Sequence, residues 1–134
     1  MGIDDEIDGS NVSATSIAPW LPVDDAQKAV EFYKAAFGAV ELYRLDSEGG
    51  LEVAQLSVGG AVLWVQDDID AGSESRGTAS IRMILSVADP DAVFGQAVAA
   101  GAVEVSPVAE AHGWRTGRIT DPFGYDWEIS KELA

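Results

Sequence analysis

Few residues of this chain are equipped for covalent or proton-transfer chemistry. The one histidine, His112, lies in Glu110-Ala111-His112-Gly113-Trp114. An imidazole, with an unperturbed pKa of about 6.5, suits general-base work. No carboxylate stands at a recognisable partner spacing, so His112 reads as a loop residue, exposed or in contact with a ligand. No serine occupies a nucleophile elbow, and no glycine run matches a P-loop or a dinucleotide fingerprint. Cysteine is absent, which removes disulfides, zinc ribbons, iron–sulfur ligation and thiol nucleophiles together. Asp67, Asp68 and Asp70 lack the spaced ligands and central glycine of a calcium loop and read as solvated. Binding chemistry remains, carried by Trp20, Trp64, Arg82 and Glu128, and the elements that hold these side chains decide whether they meet.

In the first half, Ile17, Pro19, Leu21 and Val23 alternate with Ala18, Trp20 and Pro22, a period-2 strand whose prolines suit an edge. Asp24 offers an N-cap with Gln27 three residues on. Ala26, Ala29, Val30, Tyr33 and Phe37 follow at helical spacing, and Gly38 stands where a C′ residue belongs. Strand-like runs at 40–45, 51–58 and 61–66, separated by glycine turns, complete a β-α-β-β-β order. The second half repeats it. Residues 81–87 alternate, Asp89 caps a helix with Pro90 at N1, and strands follow at 103–108, 115–120 and 125–130. Asp121-Pro122-Phe123-Gly124 reads as a turn.

The repetition is visible in the letters. Residues 17–23 align with 81–87, and 60–65 with 124–129, at one common offset; 38–42 align with 101–105 at an offset one residue shorter. The chain is therefore a duplicated βαβββ unit carrying one small insertion. Ile81, Met83, Leu85, Tyr125, Trp127 and Ile129 form an apolar face, and Arg82, Asp126 and Glu128 point to the other. Ala61, Leu63 and Val65 likewise oppose Val62, Trp64 and Gln66, so Trp20, Trp64, Arg82 and Glu128 are expected on one concave face.

The length of 134 residues fits one domain. Residues 1–15 read as a flexible acidic arm and 16–134 as the domain: module one 16–66, linker 67–79, module two 80–134. Eight Lys and Arg against 23 Asp and Glu leave a net charge of −15, which disfavours nucleic acid and anionic membranes as partners. The acidity has two readings, attraction of a cationic ligand or adaptation to a salty habitat. With no apolar run of transmembrane length and an acidic N-terminus, the expected location is cytoplasmic.

Val23, Asp25, Glu31-Phe32-Tyr33, Phe37-Gly38 and Asp121-Pro122-Phe123-Gly124-Tyr125, in this order within a tandem βαβββ pair, resemble the vicinal oxygen chelate superfamily. That superfamily includes glyoxalase I, the bleomycin- and fosfomycin-resistance proteins and the extradiol dioxygenases. The resemblance runs from about Ser16 to Leu133. It implies an α+β fold with a curved, cleft-enclosing mixed sheet of eight strands, helices on the outer face, and commonly a homodimer. Metal-dependent members place His or Glu on the first and last strands of each module. Those positions fall here on Ala18, Trp64, Arg82 and Glu128, a set that cannot hold a divalent ion, because Ala and Trp do not ligate and Arg is a permanent cation. No cofactor is therefore expected. Arg82 and Glu128, at equivalent positions, are expected within reach of each other, as a ligand anchor or as a structural ion pair. The expected function is metal-free binding of a small molecule, such as an antibiotic or another planar or cationic ligand, without catalysis. The alternative is a lyase or isomerase of the glyoxalase or epimerase type, metal-dependent or using Glu128 as acid/base.

Overall fold

The computed structural model describes residues 15–71 and 81–134. The N-terminal arm up to residue 14, linker residues 72–79 and residue 80, the first of module two, lie outside the described residues. The elements, in chain order, are β1 (Trp20–Val23), α1 (Ala26–Phe37), β2 (Val40–Ser47), β3 (Gly50–Val58), β4 (Ala61–Asp67), β5 (Arg82–Ser86), α2 (Pro90–Ala100), β6 (Val103–Ala111), β7 (Trp114–Thr120) and β8 (Asp126–Glu132). The fold is α+β, two successive βαβββ modules.

The eight strands divide into two four-stranded sheets, β1-β4-β3-β2 and β5-β8-β7-β6. In each, the first strand of the module runs parallel to the last, and the other pairings are antiparallel. Among the described residues no ladder joins β1 to β5, so the eight strands of the expected α+β fold are two four-stranded mixed sheets with a seam between modules.

Each sheet turns its apolar face to a helix. Leu21, Val23, Leu56, Leu63 and Val65 are buried from module one, and Ile119, Trp127 and Ile129 from module two. The helices also pack on each other, with the Gln96 side chain donating to the Ala35 carbonyl at 3.1 Å. Burial of these side chains, each contributing about 1.5–3 kcal/mol, joins the modules into one core. At Gly117 on β7, any Cβ would come within 2.7 Å of the Phe94 ring of α2. The helix therefore seats only over a glycine.

Several boundaries differ from those read in the sequence. β1 starts at Trp20, not at Ile17, which is almost fully exposed; Ile81 is likewise exposed and precedes β5. β6 runs on to Ala111 through two irregularities in its pairing with β7. The N-cap of α1 is Asp25, whose carboxylate accepts from the Lys28 N–H at 3.1 Å, and not Asp24. Gln27 makes no capping box; it donates to Glu31 and accepts from Arg44. Asp67 is exposed, as expected, but it also ends β4 and accepts from the Ala26 N–H at 2.8 Å. At α2, Asp89 caps as expected, and Gly38 closes α1 at a φ of 70°. His112 and Gly113 form the exposed two-residue turn between β6 and β7, with His112 at a φ of 54°, a conformation favoured in hairpins.

Candidate functional site

The face of each sheet away from its helix is open. In module one, one row across the sheet reads Trp20, Trp64, Gln55, Tyr43, because Trp20 pairs with Trp64, Trp64 with Gln55 and Gln55 with Tyr43. The two indoles stack with ring centroids 5.8 Å apart and planes inclined by 28°. Tyr43 meets Trp64 edge-on at 6.2 Å. Trp20 Nε1 donates to Gln66 Oε1 at 3.0 Å, which fixes its ring while leaving it 50% exposed. Aromatic pairs of this kind add about 0.5–1.5 kcal/mol beyond area burial, yet here half a ring faces solvent.

The seam that lacks a ladder is hollow instead. One cavity of about 440 Å³ is lined by Trp20, Pro22, Met83 and Tyr125 together with Asp68, Asp70 and Asp126, and among the described residues by no Lys or Arg. A second, of about 630 Å³, is lined by Ala18, Pro19, Trp64, Met83 and Ile84. Pro19 and Met83 line both, and the indole pair has one ring on each. Volumes of this order match those of small-molecule sites.

Module two carries a charged row in the equivalent place: Ile84, Glu128, Arg118, Ser106. Arg82 Nε lies 2.8 Å from Glu128 Oε1. The structure thus brings Trp20 onto Trp64 and Arg82 onto Glu128 as two pairs on two sheets, and neither seam cavity includes Arg82 or Glu128. At the four positions to which the resemblance carries the metal ligands, the residues present do not fit a divalent metal: Ala18 and Trp64 offer no ligand, and the Glu128 carboxylate is occupied by a guanidinium. Among the described residues no three His, Asp or Glu side chains converge elsewhere.

Sequence reasoning took Asp121 for part of a simple turn. It is buried, and its four hydrogen bonds tie both modules. Oδ1 accepts from the N–H groups of Phe123 and Tyr125, and Oδ2 from the Tyr33 hydroxyl at 2.5 Å and Trp127 Nε1 at 2.9 Å. Burial pushes its carboxyl above the ordinary aspartate range, against those bonds, which favour the ionised form. Tyr43 and Arg118 were also missed. Both reach the open faces through pairings of β2 and β7, and long-range register of that kind leaves no mark in local sequence.

The model of the Glyoxalase/Bleomycin resistance protein/Dioxygenase superfamily matches residues 14–129. The Mycobacterium bovis protein Mb0911c is 36% identical over 127 residues, covering 88% of this chain and 84% of that protein. The crystal structure of the Arabidopsis thaliana product At5g48480 superposes with a TM-score of 0.68 at 32% identity, covering 88% of this chain and 99% of that one. TnmS3, an antibiotic binding protein from Streptomyces sp. CB03234, superposes with a TM-score of 0.68 at 21% identity, covering 91% of this chain and 99% of that one, a likeness of fold. No helix among the described residues is long and apolar enough to cross a membrane.

Proposed function

The chain belongs to the Glyoxalase/Bleomycin resistance protein/Dioxygenase superfamily, and from that premise we propose that it is a cytoplasmic, metal-independent binding protein. It sequesters a planar, cationic small molecule, an antibiotic among the candidates, in the seam between its modules. The observation that carries this reading is the Trp20–Trp64 pair between two cavities, with half of the Trp20 ring exposed. An exposed indole face attracts a planar or cationic group by stacking and by its quadrupole. Three carboxylates line the first cavity, and the Arg82 guanidinium on the neighbouring strand is held by Glu128, an arrangement that favours a positive charge on that group. TnmS3 has the same fold and is an antibiotic binding protein. Acid/base work by Glu128 finds no support in the geometry, since the Arg82 guanidinium would first have to leave it. Self-association belongs to the same proposal, because β2 and β6 leave Val40, Leu42, Tyr43, Val103 and Val105 exposed.

The test is a fluorescence titration with proflavine, a planar cation, alongside the uncharged polycycle acridone. We expect one saturable proflavine site per chain, with acridone binding more weakly. Trp64→Ala should weaken proflavine by about 1–3 kcal/mol, or roughly 5- to 150-fold. An unchanged affinity in the variant would remove the stacking assignment. Equal affinity for the two probes would remove the charge preference.

A further inference from the structure

Arginine placement in this chain follows a rule with one exception among the described residues. Arg44 sets its Nε at 3.0 Å from Asp46, Arg82 at 2.8 Å from Glu128, and Arg115 at 2.6 Å from Asp91. Arg118 has no carboxylate within ion-pair distance, although the chain carries 23 acidic residues. Its Nε is closed to solvent and has no hydrogen-bond partner. A guanidinium N–H in that condition forfeits its hydration without compensation.

A second orphan lies on the same face. Ser130 Oγ is the other buried side-chain atom without a partner among the described residues. Alternation along β8 puts Ser130 on the side of Glu128, opposite Trp127 and Ile129, and Ser130 pairs with Thr116 where Glu128 pairs with Arg118. Arg118 and Ser130 are therefore diagonal neighbours across the β7–β8 ladder. Beside them, the Glu128 carboxylate is neutralised by Arg82, and the Asp126 carboxylate accepts from the Thr120 hydroxyl. The unanswered groups on this face are a guanidinium N–H, which only donates and carries a full positive charge, and a hydroxyl, which is able to donate.

We propose that the open face of module two is an oxyanion subsite, in which Arg118, supported by Ser130 and flanked by Arg82, receives a carboxylate or phosphate group. A guanidinium meets such a group through two parallel N–H···O bonds, which lysine cannot reproduce. The module-one row is aromatic where the module-two row is charged, so the repeat has diverged into an apolar and an anion-binding half. This inference does not rest on indole stacking: it stands or falls at Arg118, whatever proflavine does at Trp64.

The experiment follows the arginine Nε–H resonances of ¹⁵N-arginine-labelled protein, assigned through their own backbones, during titration with inorganic phosphate and separately with benzoate. Sodium chloride at matched ionic strength is the control. The expected result is a saturable shift of the Arg118 resonance with both anions, while Arg44 and Arg115, held by their aspartates, stay in place. Arg118→Gln should weaken phosphate at least tenfold by calorimetry, and Arg118→Lys should weaken it less. A shift that never saturates, a shift equal to that with chloride, or undiminished binding by Arg118→Gln would overturn the proposal. The wild-type resonance decides the matter even if a variant fails to fold.

Discussion

Asp121 accepts hydrogen bonds from α1, from its own turn and from β8, and so fastens one module's helix to the other module's last strand. Its burial raises the folded-state pKa above the unfolded value, so the folded protein holds this proton more tightly. The stabilisation that follows is complete below about pH 3.9, the ordinary aspartate value, and is lost as pH rises through the raised value. In urea unfolding, the stability advantage of the native protein over Asp121→Asn should therefore shrink across that interval. The variant should still be less stable at neutral pH by about 1–3 kcal/mol, since its amide turns an N–H₂ toward donors that need an acceptor. A difference that stayed flat with pH would show that burial and hydrogen bonding cancel and leave the Asp121 pKa unshifted. The letters Asp-Pro-Phe-Gly signalled the turn, but nothing local signalled that Tyr33 and Trp127 would converge on the aspartate.

At the scale of elements, the start of α1 was misplaced by one residue for an instructive reason. Asp24 and Asp25 are adjacent, and only Asp24 has a Gln three residues on. The competing contact comes from far away: Asp67, at the end of β4, takes the Ala26 N–H and fixes Asp25 as the cap. Asp25→Ala should then cost about 0.5–2 kcal/mol of unfolding free energy, whereas Asp24→Ala should stay within about 0.5 kcal/mol. Urea denaturation of the two variants checks this, and the opposite ranking would restore the register read from sequence. The second helix was legible because Asp89-Pro90 offers a cap and an N1 proline without a rival. The irregular pairing of β6 was not legible, since it depends on β7.

For the whole molecule, β2 and β6 leave apolar side chains exposed, as does the half-exposed Trp20, surface that self-association would cover. Light scattering behind size exclusion should return twice the chain mass at micromolar concentration; the mass of a single chain would show that these strands stay uncovered. Sequence by itself determined the duplication, the order β-α-β-β-β in each half, and which face of each strand is apolar. Those features are written in periodicity, in turn residues and in letters that recur at a fixed offset, all short-range quantities. Alternation also put Trp20, Trp64, Arg82 and Glu128 on one kind of face, and the resemblance put Arg82 within reach of Glu128; the parallel first-to-last pairing that joins them as two pairs came from the structure. Only the tertiary structure decided that the two sheets stay apart, that the seam between them is hollow, and that Arg118 is left without an acid. Each of these depends on how the helices pack and how distant strands register, where the outcome is set by many weak contacts summed over the fold.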